Sequence, residues 1–146
     1  MSSTHLSLNY HIVFGTKDRV PCISPSWRKD LHAYLGGVLK TMDAVPLAIN
    51  GVADHVHLLI ALRSTHCLAG VMRELKSLSS KWVREKHLMP FAWQEGYGAF
   101  SVSASLCDTV RAYIEDQEEH HRDRTFAEEL VILLEKSGIA YDPRYL

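Results

Sequence analysis

The sequence predicts an α+β fold in which one antiparallel sheet carries helices on one face and a helical extension follows at the C-terminal end. Three observations support this prediction. The 146 residues are 47% apolar and 23% charged, which is typical of a globular protein and suits a single domain over residues 1–146. Stretches that alternate apolar and polar side chains are interspersed with stretches of helical periodicity. Their order, β-α-β-β-α-β-α-α, begins with the six elements of a ferredoxin-like (RRM-like) sandwich.

The N-terminal half provides three predicted strands and one helix. Residues 5–14 alternate apolar with polar or small side chains, which predicts the first strand. A loop with Gly and Pro follows, and Ser26 is a suitable N-cap for a helix over about 27–42. Residues 45–52 and 55–62 are apolar and meet near an Asn-Gly dipeptide, so we expect them to pair as a hairpin.

The C-terminal half provides a long helix, an extended segment and two further helices. Apolar residues at helical spacing predict a helix over about 66–87, and Pro90 follows its end. Residues 91–103 read as extended. Two more helices are predicted over about 105–121 and 125–137. In a ferredoxin-like sheet the first and third strands are central, so one face of the third strand lies away from the packed helices.

Composition narrows the class of protein. No apolar run approaches the roughly 20 residues that a membrane span needs, and no basic segment precedes the first apolar stretch as in a signal peptide. Three widely spaced cysteines argue against a disulfide framework, so we expect a cytoplasmic protein. The net charge of −1 argues against a protein that coats nucleic acid by charge alone, although residues 1–107 hold eleven Lys and Arg against seven Asp and Glu.

Two histidines interrupt the apolar third strand. His55 and His57 are separated by Val56, and because strand side chains alternate between faces, both imidazoles point to the same face. A histidine pair on a solvated face and a metal site both fit this pattern, which does not decide between them.

A tyrosine and a glutamine share one face of the helix over 105–121. Tyr113 and Gln117 are four residues apart, the spacing that stacks side chains on a helix. A tyrosine hydroxyl is a possible covalent nucleophile, and a glutamine carbonyl is a ligand for hard cations. A half-buried core aromatic beside a surface amide fits the spacing as well.

Five stretches stand out as a set, in this order along nearly the whole chain: NYHIVFGTKDRVP, DHVHLLI, WQEGYGAFSVS, VRAYIEDQEEHH and YDPRYL. Together they resemble the single-tyrosine HUH transposases of the smallest bacterial insertion sequences, the insertion-sequence and REP-associated tyrosine transposases. In HUH the U is a hydrophobic residue, here Val56.

The resemblance implies an enzyme that cleaves and rejoins single-stranded DNA through a 5′-phosphotyrosine intermediate. By position, Tyr113 matches the nucleophile, and His55, His57 and Gln117 match the ligands of a divalent metal, Mg²⁺ or Mn²⁺. The resemblance also implies a homodimer in which the tyrosine helix of one chain docks against the histidine pair of the other.

The resemblance further implies binding to single-stranded DNA with hairpin ends. Basic residues of the loop after the first strand and of the long helix are the candidate contacts: Lys17, Arg19, Arg73, Lys76, Lys81 and Arg84. Two more residues are near the motifs. His121 either caps a helix end or approaches the metal, and Asp54 either forms a turn or orients a histidine ring.

Two other functions remain open at the level of the residues. A non-catalytic ferredoxin-like module could bind single-stranded nucleic acid, although the first and third strands lack the exposed aromatics that stack bases. A zinc-dependent hydrolase could use the histidine pair, but it would need a further His or Asp ligand and a Glu base, and no HExxH motif is present.

Overall fold

The computed structural model describes residues 3–121 and 123–146, and its elements follow the predicted order. These residues contain four strands and five α-helices: β1 (Asn9–Gly15), α1 (Arg28–Thr41), β2 (Val45–Gly51), β3 (His55–Ala61), α2 (Leu68–His87), β4 (Gly98–Val102), α3 (Cys107–Glu115), α4 (Gln117–His120) and α5 (Phe126–Lys136). None of the helices in these described ranges has the length and apolar character that crossing a membrane requires.

The strands form one antiparallel sheet in the order β2-β3-β1-β4. This is the predicted ferredoxin-like sheet, with the first and third strands at its centre. Val13 lies opposite His57 in the β1–β3 register, and Gly15 lies opposite His55. The register therefore places the histidine pair in the middle of the sheet, where neighbouring strands hold the backbone on both sides.

Helices α1 and α2 cover one face of the sheet. The alternate strand residues that point to them are apolar and buried, including Ile12, Phe14, Val56, Leu58 and Ile60. Their burial against two amphipathic helices removes a large apolar area from water, which is the main force that stabilises such a layer.

The C-terminal helices cover the other face, so the sheet lies between two helical layers. Helix α3 packs on β2 and β3, where Ile114 contacts a cluster that includes Leu59. Helix α5 packs through Phe126 in a cluster with Val13 and Phe100. The ferredoxin-like order predicts that this face of the third strand lies away from the first two helices. In the structure, the chain's own C-terminal extension covers it.

Some boundaries differ from the sequence predictions. Gly96 adopts a positive φ of 74°, which turns the chain, so the extended segment over 91–103 forms a strand only in β4, with a single bridge between Trp93 and Thr16. Asp116 has φ −102° and ψ 27°, which ends α3 and makes α4 a separate turn within the helix predicted over 105–121.

Candidate metal and nucleophile site

The two histidines of β3 lie beneath the C-terminal layer. His55 and His57 have 0% exposed surface, because α5 and the turn before it cover them. His121 and Glu129 approach from that layer, and one ligand atom from each of the four residues lies within 4.8 Å of the others. This group, the His–Glu cluster, could hold a metal ion.

A carboxylate oxygen lies at the centre of the His–Glu cluster. Oε1 of Glu129 is 2.7 Å from Nε2 of His57, 3.1 Å from Nε2 of His121 and 3.3 Å from Nε2 of His55. The Nδ1 atoms of these rings point outward to other partners: Oδ1 of Asp54 at 2.7 Å for His55, Nε2 of His11 at 2.7 Å for His57 and the backbone oxygen of Arg124 at 2.8 Å for His121. The three rings are therefore held with the same nitrogen facing Glu129.

The electrostatics of the cluster follow from burial and close pairing. Burial alone would raise the pKa of the Glu129 carboxyl, but the three neighbouring imidazoles lower it well below its ordinary value. At His55 the effect of burial is outweighed by the neighbouring carboxylates of Asp54 and Glu129, which raise its pKa. Burial lowers the pKa of His57, and it lowers that of His11 to about 3. His11 is therefore neutral, so one of its ring nitrogens is free to accept a hydrogen bond.

The predicted nucleophile contacts this cluster within one chain. Tyr113 on α3 donates a hydrogen bond from its hydroxyl to Oε2 of Glu129. Its ring centroid lies 5.9 Å from that of His57, and the ring stacks on that of His120 with the two centroids 4.4 Å apart. Burial and the negative charge of Glu129 raise the pKa of Tyr113, so its hydroxyl keeps its proton in this arrangement.

Gln117 lies beside Tyr113 but contributes differently from the histidines. Its side chain is fully buried, and Nε2 donates to the backbone oxygen of Tyr113 over 3.4 Å. Its carbonyl Oε1 is buried without a hydrogen-bond partner among the described residues. Burying an amide oxygen without a hydrogen bond costs free energy, and a bound cation would offset that cost. Gln117 therefore has the chemistry expected of a metal ligand.

Two of the residues predicted to contact DNA form hydrogen bonds within the protein. Nζ of Lys76 donates to the backbone oxygens of Gln94 at 2.5 Å and Gly96 at 2.7 Å. Arg84 donates to the backbone oxygen of Phe91 at 3.1 Å. Both side chains therefore tie α2 to the segment before β4.

The other four basic candidates lie closer to solvent. Lys17, Arg73 and Lys81 are exposed, and the guanidinium of Arg19 lies 4.9 Å from the ring centroid of Phe126. Their contacts with DNA stay predictions.

Sequence reasoning missed two residues of the site. Glu129 is 72 positions from His57, and no spacing rule connects them. A capping box formed by Thr125 and Glu128 does mark the start of α5, but it does not show where that helix docks. His11 alternates onto the same sheet face as the histidine pair, a signal that was available once β1 and β3 were paired.

Comparison with known proteins identifies related sequences and folds. The family described as "Transposase IS200 like" matches residues 4–117. A crystal structure from Deinococcus radiodurans R1, described as that of a candidate transposase, is 21% identical with a TM-score of 0.61, covering 80% of this chain and 96% of its own. A REP-associated tyrosine transposase bound to a REP hairpin is 14% identical with a TM-score of 0.61, covering 83% of this chain and 74% of its own. No curated protein matches the chain.

Proposed function

Because this chain belongs to the IS200-like transposase family, we propose that it cleaves and rejoins single-stranded DNA through a covalent bond between Tyr113 and a 5′ phosphate. The observation that supports this most directly is the hydrogen bond from the Tyr113 hydroxyl to Glu129 of the His–Glu cluster. A nucleophile and a cluster fit for a metal thus lie side by side.

The reaction exchanges one phosphodiester for another. The phenolic oxygen of Tyr113 gives up its proton and attacks the scissile phosphorus, forming a P–O bond as the P–O3′ bond breaks. The departing 3′ oxygen gains a proton and becomes a free hydroxyl. The energy of the original bond is kept in the 5′-phosphotyrosine, so a later 3′-hydroxyl can attack it and restore a DNA strand without ATP.

A divalent cation fits this site. The buried cluster offers imidazole and carboxylate atoms around one point, and Gln117, four residues after Tyr113, has a buried carbonyl oxygen without a hydrogen-bond partner among the described residues. We propose that His55 and His57 hold Mg²⁺ or Mn²⁺. When bound, the metal neutralises charge on the scissile phosphate and lowers the cost of the attack.

The DNA substrate is proposed to be single-stranded with hairpin ends. One similar structure is a tyrosine transposase bound to a REP hairpin, and the exposed Lys17, Arg73 and Lys81 offer phosphate contacts here. Each such contact steepens the decrease of affinity with salt, so substitutions at these positions reduce the salt slope of hairpin binding.

We propose that the chain forms a homodimer, as the resemblance implies, but that each chain supplies its own Tyr113. Tyr113 meets the cluster of its own chain, which supports a site that one chain completes without a partner. Light scattering of the full chain, alone and with a hairpin oligonucleotide, measures the number of chains.

A covalent-adduct assay tests the function. The protein is incubated with a labelled single-stranded hairpin from the ends of its own element and Mn²⁺ or Mg²⁺, then resolved under denaturing conditions. We expect a protein–DNA adduct that Tyr113→Phe abolishes and that Tyr145→Phe, at an exposed tyrosine, preserves. Binding without any adduct would instead indicate a binding module, and cleavage that persists in Tyr113→Phe would indicate a metal-dependent hydrolase.

A further inference from the structure

We propose that Glu129 and His121 are metal ligands, so that three imidazoles and one carboxylate hold the cation. This proposal rests on the proposed function only in assuming that the His–Glu cluster is the working metal site. It adds two ligands, from the turn after α4 and from α5, to the histidine pair of β3.

His121 shows most clearly that the cluster directs potential metal ligands to one point. Its Nδ1 faces the backbone oxygen of Arg124 at 2.8 Å, and a carbonyl oxygen can only accept a hydrogen bond. Nδ1 therefore carries a proton, and Nε2 is the ring nitrogen that a metal would take. This Nε2 faces Oε1 of Glu129 at 3.1 Å, so the nitrogen and the carboxylate are directed to the same point.

His55, on β3, has the same arrangement of ring nitrogens as His121. Its Nδ1 lies 2.7 Å from a carboxylate oxygen of Asp54, so the proton lies on that side as well. Its Nε2 is 3.3 Å from Glu129 and has no hydrogen-bond partner among the described residues. A second ring therefore directs its Nε2 to the same carboxylate oxygen, and a cation between the atoms would bind both.

His57 completes the set. Its Nδ1 is 2.7 Å from Nε2 of His11, a neutral imidazole nitrogen that can accept the Nδ1 proton, and its own Nε2 is 2.7 Å from Glu129. Three imidazole nitrogens and one carboxylate oxygen thus converge in a buried space. A metal ion would bind all four of these atoms, and the carboxylate would balance part of its charge in the buried space.

The spacing of these atoms suits a small cation. Ligand atoms arranged tetrahedrally at roughly 2.1 Å from a metal are about 3.4 Å from each other. The separations from Oε1 of Glu129 are 2.7, 3.1 and 3.3 Å, and all four ligand atoms lie within 4.8 Å of one another, so these distances span the value that a shared cation requires.

The helix that supplies the carboxylate is firmly placed. Thr125 and Glu128 form a capping box at the start of α5, and Phe126 stacks on the ring of His55 with centroids 4.3 Å apart and an interplanar angle of 9°. Glu129 follows three residues later and is 2% exposed. Its second oxygen accepts the Tyr113 hydroxyl, so one carboxylate both faces the cation and orients the nucleophile.

The ligand set predicts which metal binds best. Mg²⁺ favours oxygen ligands, whereas Mn²⁺ and especially Zn²⁺ accept imidazole together with carboxylate. We therefore expect the full chain to bind Mn²⁺ and Zn²⁺ at least about tenfold more tightly than Mg²⁺.

Calorimetry with Mn²⁺ alone tests the two added ligands. In the metal-free full chain, Glu129→Gln and His121→Ala should each weaken Mn²⁺ binding by about tenfold or more. The matched controls are Glu135→Gln, an exposed position on the same helix, and His5→Ala, an exposed histidine, and both should bind as the parent does. Unchanged affinity in Glu129→Gln and His121→Ala, or no Mn²⁺ binding by the parent chain, would overturn the proposal.

A measurement on the unaltered chain covers the case in which a variant fails to fold. Zn²⁺ is titrated while side-chain ¹⁵N resonances of histidine are recorded by NMR. We expect the Nε2 resonances of three rings, those of His55, His57 and His121, to shift together. A response from only the two rings of β3 would reject His121 as a ligand, and with it the site of three imidazoles and one carboxylate. Because neither experiment includes DNA, a correct ligand pattern without a covalent adduct would reject the proposed function and leave this proposal intact.

Discussion

Glu129 accepts a hydrogen bond from the hydroxyl of Tyr113, and both residues belong to the same chain. The contact joins α3 to α5 above the central strands of the sheet. It brings the nucleophile predicted from the sequence to the histidine pair predicted from the sequence, through a carboxylate that the sequence did not indicate. The arrangement makes definite predictions about activity, stability and pH dependence.

The first prediction is that one chain supplies the whole active site. If Tyr113 works together with the histidines of its own chain, a mixture of His57→Ala and Tyr113→Phe proteins contains no intact site. The mixture then stays inactive in the adduct assay. The measurement is adduct yield after the two variants are mixed, unfolded and refolded together. Activity restored in the mixture would show that tyrosine helices are exchanged between chains of a dimer.

The second prediction separates cleavage from hairpin binding. His57→Ala removes a buried imidazole of the His–Glu cluster, so cleavage should decrease to background, whereas hairpin affinity should change by less than about threefold because exposed basic residues make the phosphate contacts. Gel-shift titration and cleavage are measured on the same preparation, with circular dichroism to verify folding. Loss of both activities in a folded variant would mean that the cluster also holds the DNA.

The third prediction concerns the close approach of α5 to the sheet. A Cβ added at Gly15 would lie 2.8 Å from Cε2 of Phe126 and 3.1 Å from the backbone oxygen of Asp54. Gly15→Ala should therefore lower the free energy of unfolding by about 1–3 kcal/mol in urea denaturation. Gly37→Ala is the control: it lies on α1 with nothing within 4 Å of the new Cβ, and it should stabilise by about 0.5–1 kcal/mol. Equal stability of the two variants would contradict the packing of α5 described here.

The sequence predicted the sheet well because its signals are local. Alternation identified β1, and two apolar runs over 45–52 and 55–62 that meet near an Asn-Gly dipeptide identified the β2–β3 hairpin, which the structure contains with small changes of boundary. The His55–His57 pair also follows from local alternation, since a spacing of two residues fixes both side chains on one face.

The covering layer could not be predicted in the same way. Whether Glu129 contacts the sheet depends on how the turn after α4 directs α5, and that is decided by contacts such as Phe126 with Val13 rather than by periodicity. The break at Asp116 similarly arises from a backbone conformation that the continuous helical pattern over 105–121 does not reveal. The residues of a short helix do not by themselves show which distant part of the chain the helix packs against.

The fourth prediction links stability to pH through a histidine outside the active site. Burial and the neighbouring Arg28 lower the pKa of His32 to about 4, below the value of about 6.5 in the unfolded chain. The unfolded chain therefore takes up this proton first as the pH falls. The contribution of His32 is complete above pH 6.5 and is lost between pH 6.5 and 4, amounting to about 1–3 kcal/mol.

Urea denaturation at pH 7 and pH 4.5 measures this effect. His32→Gln cannot take up the proton, so the variant should lose less stability than the parent chain over the same interval. An identical loss in both proteins would show that His32 titrates alike in the folded and unfolded chains.

The central claim is that the phenolic oxygen of Tyr113 bonds to the 5′ phosphate of the cleaved strand. The most direct test is to trap the adduct with a single-stranded hairpin substrate and Mn²⁺, digest its DNA with nuclease and its protein with trypsin, and locate the remaining nucleotide by mass spectrometry. Trypsin cleaves after Arg111, and Tyr113 is the one tyrosine of the peptide over residues 112–122. We predict that this peptide carries the 5′ nucleotide on Tyr113. A nucleotide found on another residue, or cleaved strands with no modified peptide, would contradict the account.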